Sequence, residues 1–185
     1  MKKSLIIVLV LAVLVVLWGF SGYNNLITLN ENADAQWAKV ETQYQRRFDL
    51  IPNLVNSVKG ALTQEQTVFG DIAAARAAYS GAATPDAKAA AASQVESSLG
   101  RLIAIVENYP QLQSSQTIRD LMTELEGTEN RVSVERTRFN DEIKAYNTTI
   151  KRFPTNILAS ITGFGVRAYF EAAPGASTVP TVNLQ

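Results

Sequence analysis

The sequence contains no cysteine and no histidine, and its formal net charge is zero. Without cysteine there is no disulfide, no thiolate nucleophile, no thiolate metal site and no bacterial lipid attachment site. Without histidine the chain lacks the commonest general base and the commonest transition-metal ligand. Because basic and acidic residues both number 17, the charge balance gives no argument for a nucleic acid partner. We therefore expect no enzyme, no cofactor, no metal site and no nucleic acid; serine or lysine chemistry would be an enzyme's remaining route.

A long uncharged segment near the N-terminus predicts a membrane anchor. Residues 5–20 read LIIVLVLAVLVVLWGF. Extension to residue 23 gives roughly 19 residues, or about 28 Å of helix, which matches the core of a bilayer. Aromatic residues near the end of the segment suit the membrane–water interface. The residues that carry this prediction are Leu5, Ile6, Leu9, Leu14, Trp18, Phe20 and Tyr23.

Charges on either side of this segment predict its orientation. Lys2 and Lys3 precede it, whereas Glu31 and Asp34 are the first charges that follow it. The positive-inside rule therefore places the N-terminus of this single-pass chain in the cytoplasm and the rest of the chain outside it. A cleaved signal peptide is the alternative, since residues 19–21 resemble a cleavage site. The apolar run, however, exceeds the about 7–15 residues of such a peptide.

Beyond the anchor, apolar residues recur at three- and four-residue steps and predict long amphipathic helices. The first begins at Leu26, so that it continues the anchor, is kinked by Pro52, and ends near Gly60, although an unbroken helix through that glycine is an alternative. A capping-box pattern at residues 63–66 starts a second helix, which extends to about residue 79. Thr84 caps a third that ends near residue 108. Ser114 or Ser115 caps the fourth, which Phe153-Pro154 closes.

These helices predict an all-α fold in which a transmembrane helix continues into an antiparallel (up-down) four-helix bundle with long helices. The predicted regions are a cytoplasmic N-terminus and anchor (1–23), an extracytoplasmic bundle (24–153), an apolar C-terminal segment (154–171) and a flexible tail (172–185). The apolar segment is suited to capping the bundle, to resting on the bilayer interface or to binding a neighbour.

Two long runs of the sequence resemble the LemA family of bacterial membrane proteins. The first is YNNLITLNENADAQWAKVETQYQRRFDLIPNLVNSVKG, which follows the anchor directly. The second spans residues 107–154 and contains, in order, Y-P-x-L, E-N-R, R-x-x-F-N, Y-N and F-P. The run Y-F-E-A at residues 169–172 matches as well. The resemblance implies an anchored helical bundle outside the cytoplasm, without established enzymatic activity, in a family context of membrane organisation and assembly.

Three charged residues fall near the apolar seam of the predicted helices. Arg47 lies between two seam positions of the first helix, and Glu129 and Glu135 lie near the seam of the fourth. They are candidates for a buried polar layer that fixes the register between helices or subunits. The alternative, which we favour, is that all three reach solvent at the edge of the seam.

Several other side chains are candidates for contact with partners. Trp37, Tyr44 and Phe48 have core spacing, but Phe48 lies one position off the seam and is expected to face outward. The predicted interaction surface consists of Phe48, Ile157, Leu158, Ile161 and Phe164. Asparagines recur on the last helix and near the end of the first, and they predict either an inter-helix hydrogen-bond ladder or plain solvated surface; they are Asn53, Asn56, Asn130, Asn140 and Asn147.

Two functions fit these features. We favour a non-enzymatic structural or scaffold protein of the bacterial cell envelope, bound to the lipid bilayer and assembled into a homo-oligomer, since long apolar stripes and zero net charge permit side-by-side packing. The alternative is a monomeric envelope adaptor or sensor that presents its bundle to a protein partner, such as a membrane protease or kinase.

Overall fold

In the computed structural model, residues 2–62 and 65–170 are described, and these residues form helices and connecting segments without a β-strand. The all-α prediction is therefore confirmed. The helices are α1 Lys2–Lys59, α2 Gln66–Gly81, α3 Pro85–Glu107, α4 Pro110–Gln113, α5 Gln116–Lys151 and α6 Thr155–Thr162. The predicted flexible tail at 172–185 lies outside the described residues.

The first helix joins the apolar segment to the amphipathic segment without a break. Pro52 lies inside α1, and the helix continues past it to Lys59. The backbone amides of Ala61 and Leu62 both donate to the carbonyl of Val58, each over 3.0 Å, and these bonds close the last turn. The helix therefore ends directly before Gly60 as predicted, and the alternative of an unbroken helix through this glycine is excluded.

The predicted start signals of α2 and α3 have different outcomes. Residues 63 and 64 of the proposed capping box lie outside the described residues, and α2 begins at Gln66 with no side-chain cap from Glu65. The cap of α3 is confirmed, because the Thr84 hydroxyl accepts a hydrogen bond from the Ala87 amide over 3.2 Å. Proline at the first helical position supports this start, because it has no amide hydrogen to leave unpaired there.

One short helix was not predicted. Tyr109-Pro110 ends α3 as expected, but the chain then forms the single turn of α4 before α5 begins. A four-residue helix is too short to show a periodic pattern of apolar residues. The long helix α5 starts at Gln116, directly after the predicted Ser115 cap, and ends at Lys151.

The described chain divides into two compact units. Of the described residues, those up to residue 38 and those from 137 to 169 form unit 1, and the others form unit 2. Both α1 and α5 therefore contribute to each unit. In unit 1 the core cluster consists of Leu26, Tyr146, Ile150 and Ala159, with Leu29, Leu158 and Phe164 packed against it.

Contacts within unit 1 show that α1 and α5 run antiparallel there. Leu26 packs with Tyr146, while Trp37, further along α1, meets Phe139, which lies earlier on α5. The Trp37 and Phe139 rings lie edge to face with their centroids 5.3 Å apart, a favoured geometry for aromatic pairs.

The core of unit 2 draws on four helices. Its fully buried side chains include Tyr44, Ile51, Leu54 and Val58 from α1, Ile72 from α2, Leu99 and Leu102 from α3, and Leu125 and Val132 from α5. Burial of each large aliphatic side chain stabilises the fold by about 1.5–3 kcal/mol relative to exposure. The apolar stripes that the sequence predicted for these helices are therefore the buried faces of unit 2.

Candidate functional site: the apolar surface of unit 1 and the charged cluster of unit 2

The N-terminal part of α1 exposes a continuous apolar surface. A window of this helix has a mean hydropathy of 2.8 and none of its residues is buried. All seven residues that carried the anchor prediction are exposed. Because contact between apolar surface and water is unfavourable, a helix of this length and composition suits the interior of a bilayer. Among the helices of residues 2–62 and 65–170, α1 alone is long and apolar enough to cross a membrane.

The short helix α6 packs closely against the end of this apolar stretch. A Cβ atom at Gly22 would lie 2.9 Å from Cδ2 of Leu158, so the missing side chain lets α6 approach α1. The rings of Tyr23 and Phe164 lie edge to face, with their centroids 6.0 Å apart. Leu158 and Phe164 are thus half-buried, whereas Ile157 and Ile161 are exposed. The predicted apolar segment therefore has one side against the core and one side free of it.

The chain beyond α6 folds back through a glycine. Gly163 adopts the left-handed backbone conformation, with φ of 81°. Residues that have a side chain rarely adopt this conformation. The Phe164 amide donates to the Ala159 carbonyl over 3.0 Å, and the Tyr146 hydroxyl donates to the Gly165 carbonyl over 3.0 Å. Burial raises the pKa of Tyr146, so its hydroxyl keeps the proton that it donates.

Asn147 fixes this returning segment to α5. Its side chain, only 2% exposed, donates to the Arg167 carbonyl over 2.8 Å and accepts from the Arg167 amide over 2.9 Å. One amide side chain thereby satisfies both backbone groups of one residue. The predicted ladder to the end of α1 is wrong, because Asn53 and Asn56 are exposed.

The Arg167 side chain extends the same attachment to α1. Its guanidinium donates to Oδ1 of Asn30 over 2.9 Å and lies 2.6 Å from Oδ1 of Asp34. Asn30 in turn donates to the Asp34 carboxylate over 3.2 Å. Arg167 was not among the predicted residues, because it lies outside any periodic helix. Its position just before the Y-F-E-A motif was the available signal.

In unit 2, Arg47 is buried among charged groups. Its side chain forms an ion pair with Glu129 and lies 4.0 Å from a Glu96 carboxylate oxygen. Arg47 is 6% exposed, so the favoured prediction that it reaches solvent is wrong. Burial lowers the pKa of Arg47, and the nearby Glu96 opposes that effect. Glu129 is half-buried beside it, and Glu135 is half-buried one position before Arg136.

Arg136 is a second cation of the same cluster. It forms an ion pair with Glu96, and its Nε donates to the Tyr44 hydroxyl over 2.8 Å. Its guanidinium carbon also lies 4.5 Å from the centroid of the Phe170 ring, within cation–π range. Burial raises the pKa of Tyr44. Arg136 and Glu96 were not predicted, although Arg136 opens the R-x-x-F-N motif and Glu96 follows Val95 on the apolar stripe of α3.

Phe48 is buried rather than outward-facing, which corrects its predicted position. It is 5% exposed, and its ring packs against Tyr44 at 5.7 Å and edge to face against Tyr79 at 4.7 Å. The ring of Tyr79, which belongs to α2, covers this position one step off the seam. The buried Tyr79 hydroxyl has no hydrogen-bond partner. Burial, and secondarily Glu41, raises the pKa of Tyr79 to about 12.

The charges of this cluster are directed at one another rather than at a cavity. The four residues come from three helices, and their charges alternate in sign along the contacts, in the order Glu129, Arg47, Glu96 and Arg136. Among residues 2–62 and 65–170, no group of three or more acidic, histidine or cysteine side chains is arranged to hold a metal ion. The ion pairs of this cluster link side chains of α1, α3 and α5.

Comparison with known proteins agrees with the motifs. The chain is similar to the Magnetosome protein MamQ of Magnetospirillum gryphiswaldense, with 31% identity over 182 residues, and to the Magnetosome protein MamQ 2 of Paramagnetospirillum magneticum, with 30% identity. Each alignment covers 84% of this chain and 67% of the relative. The sequence model of the LemA family matches residues 36–184, from a point beyond the exposed apolar stretch. As its motifs predicted, the chain belongs to the LemA family.

Proposed function

We propose that this chain is a non-enzymatic, membrane-anchored scaffold protein of the bacterial cell envelope that assembles into a homo-oligomer. One observation carries the proposal: α1 exposes apolar side chains over its first part and buries them in unit 2 over its last part, without a break between Lys2 and Lys59. The helix that carries the proposed anchor therefore also contributes to the buried core of unit 2.

The proposed placement follows from sequence charge. Lys2 and Lys3 lie on the cytoplasmic side of the inner membrane, and the helices after residue 23 lie in the periplasm or outside the cell. There, residues 24–153 form an up-down four-helix bundle, followed by the apolar segment at 154–171 and the tail at 172–185. The antiparallel contacts of α1 and α5 within unit 1 support this topology.

The relatives support a role in assembly. Both are named magnetosome proteins, and those names refer to a cellular structure rather than to a reaction. The chain itself has no histidine and no cysteine, so most routes to acid–base and nucleophilic catalysis are absent. A scaffold needs neither.

The mass of the full-length protein in mild detergent tests this function. Size exclusion with light scattering, corrected for bound detergent, is expected to give particles of several copies, while a chain that begins at Asn24 gives a smaller particle. Circular dichroism of the shorter chain is the control for folding. A monomer at all concentrations for the full-length protein would overturn self-assembly. It would favour the adaptor alternative, for which the exposed Ile157 and Ile161 offer a surface.

A further inference from the structure

A row of exposed apolar side chains lies along α6 and the bend before it. Phe153, Ile157 and Ile161 are spaced four residues apart and are 81%, 52% and 78% exposed. The two isoleucines lie on the same face of α6, because residues four apart are neighbours on a helix. The other face of α6 packs against the core through Leu158 and Ala159. The exposed row is therefore fixed in place rather than free to turn inward.

Packing places this row beside the end of the apolar stretch of α1. Leu158 lies against Gly22, and Phe164 lies against Tyr23. About 28 Å of helix separates Leu5 from Tyr23, which is the thickness of a bilayer core. The position of α6 along α1 thus corresponds to the level at which hydrocarbon gives way to lipid headgroups.

The charged residues of the chain segment that carries the row are of one sign. Lys151 and Arg152 are exposed directly before Phe153. Residues 151–170 contain no aspartate and no glutamate. Apolar side chains next to cations, in a segment without acidic residues, are typical of helices that lie in the membrane interface and contact anionic lipids.

From these three observations we infer that α6 is a second membrane contact, in which Phe153, Ile157 and Ile161 enter the headgroup region of the bilayer that α1 crosses, and Lys151 and Arg152 bind lipid phosphates. The inference rests on the membrane anchoring proposed above and not on self-assembly. The occupant of this surface is the bilayer, because the surface is continuous with the exposed apolar face of α1. The contact holds unit 1 at a fixed angle to the membrane.

The absence of cysteine allows a direct test with single-cysteine variants of the full chain. Ile161→Cys carries an environment-sensitive fluorophore in vesicles that contain anionic phosphatidylglycerol. Ala35→Cys is the matched control, because Ala35 is exposed in unit 1 and lies about 18 Å beyond Tyr23 along α1. Leu14→Cys reports on the anchor.

We expect nitroxide lipids to quench the probes at positions 161 and 14 and to leave the probe at position 35 unaffected. If position 14 is quenched and position 161 is as hydrated as position 35, the α6 contact is wrong while the anchor stands. If position 161 is shielded from water but not quenched, a second copy or another protein covers the surface and the inference is again wrong. If position 14 is not quenched, the membrane anchoring itself fails.

The cationic part is tested in the same reporter. Lys151→Gln with Arg152→Gln is expected to reduce the quenching at position 161 in anionic vesicles and to change little in vesicles of phosphatidylcholine alone. Equal quenching in both kinds of vesicle, with and without the two substitutions, would overturn the assignment of these cations to the phosphates of anionic lipids.

Discussion

The two units use the same two helices, α1 and α5, for opposite purposes. Unit 1 exposes a long apolar surface on α1, whereas unit 2 buries Arg47 from that helix among charged partners. In both units the burial of a side chain depends on what surrounds it rather than on its polarity alone. An apolar surface is stable where lipid covers it, and a buried cation is stable where carboxylates neutralise it.

The polar contacts of the two units differ in the same way. In unit 1 a neutral side chain, Asn147, pairs with backbone groups, and the charged Arg167 reaches an exposed Asp34. In unit 2 two guanidinium groups share one carboxylate, Glu96. Because a buried charge without a partner is far more costly than a lost neutral hydrogen bond, we expect unit 2 to be the more sensitive to single substitutions.

The largest effect is expected for Glu96→Ala. The substitution removes the ion-pair partner of Arg136, while Arg47 keeps Glu129. Removal of one partner of such a largely buried ion pair is expected to cost up to about 3 kcal/mol of unfolding free energy. The control is Glu124→Ala, because Glu124 pairs with Arg46 over 3.5 Å at an exposed site. Its loss should stay below about 1 kcal/mol. Denaturant unfolding in mild detergent, followed by circular dichroism, measures both.

If the two glutamate variants lose equal stability, the charged cluster of unit 2 is energetically no different from surface ion pairs. The contrast between the units would then rest on the apolar surface of unit 1 alone.

A smaller effect is expected for Asn147→Ala in unit 1. The substitution leaves the amide and carbonyl of Arg167 without their partner, at a cost of about 1–3 kcal/mol. Hydrogen exchange of the Arg167 amide should become faster, because the segment after Gly163 detaches from α5. Asn130→Ala, at an exposed position of the same helix, is the control. Unchanged protection of the Arg167 amide would show that the backbone turn holds this segment without Asn147.

The smallest effect at neutral pH is expected for Tyr79→Phe. The substitution removes a buried hydroxyl without a partner, so stability should change by less than about 1 kcal/mol. Alkaline pH sharpens the difference. The pKa of Tyr79 is raised from 10.0 to about 12, so the folded state favours the neutral hydroxyl. The stabilisation that comes from this shift in the pKa of Tyr79 is complete below pH 10 and is lost as the pH rises through about 12.

The melting temperature between pH 10 and pH 12 measures this contribution. The Tyr79→Phe variant should lose less stability over this interval than the unmodified protein does. The control is Tyr169→Phe, at an exposed side chain, which should change the pH dependence of the melting temperature less. The burial of Tyr44 raises its pKa as well, so some alkaline loss persists. Identical profiles for all three proteins would exclude Tyr79 as a source of the loss.

Much of the fold was predictable because its signals are local. The cap at Thr84, the end of α1 at Lys59 and the break at Pro110 each depend on a few adjacent residues. The exposed apolar stretch was predictable because no soluble core needs so long an apolar run. The turn of α4 was missed because four residues are too few to show the spacing of apolar residues that predicts a helix.

The residues that were misplaced depend on contacts between helices. Phe48 was expected to face outward because it lies one position off the apolar seam of α1. In the structure Tyr79 of α2 covers it. Arg47 was expected in solvent although Glu129 was named with it as a candidate for a buried layer, because spacing along α1 does not show that Glu129 of α5 and Glu96 of α3 lie beside it. Spacing along one helix cannot show a carboxylate supplied by another.

The proposed membrane anchoring requires that the first part of α1 faces lipid and that its N-terminus lies in the cytoplasm. Single-cysteine variants of the full chain, treated with a membrane-impermeant maleimide in spheroplasts, test this directly. We predict that Ala35→Cys reacts in intact spheroplasts, that Lys3→Cys reacts only after permeabilisation, and that Leu9→Cys reacts in neither condition. Reaction of Leu9→Cys in intact spheroplasts, or reaction of Lys3→Cys before that of Ala35→Cys, would contradict the account.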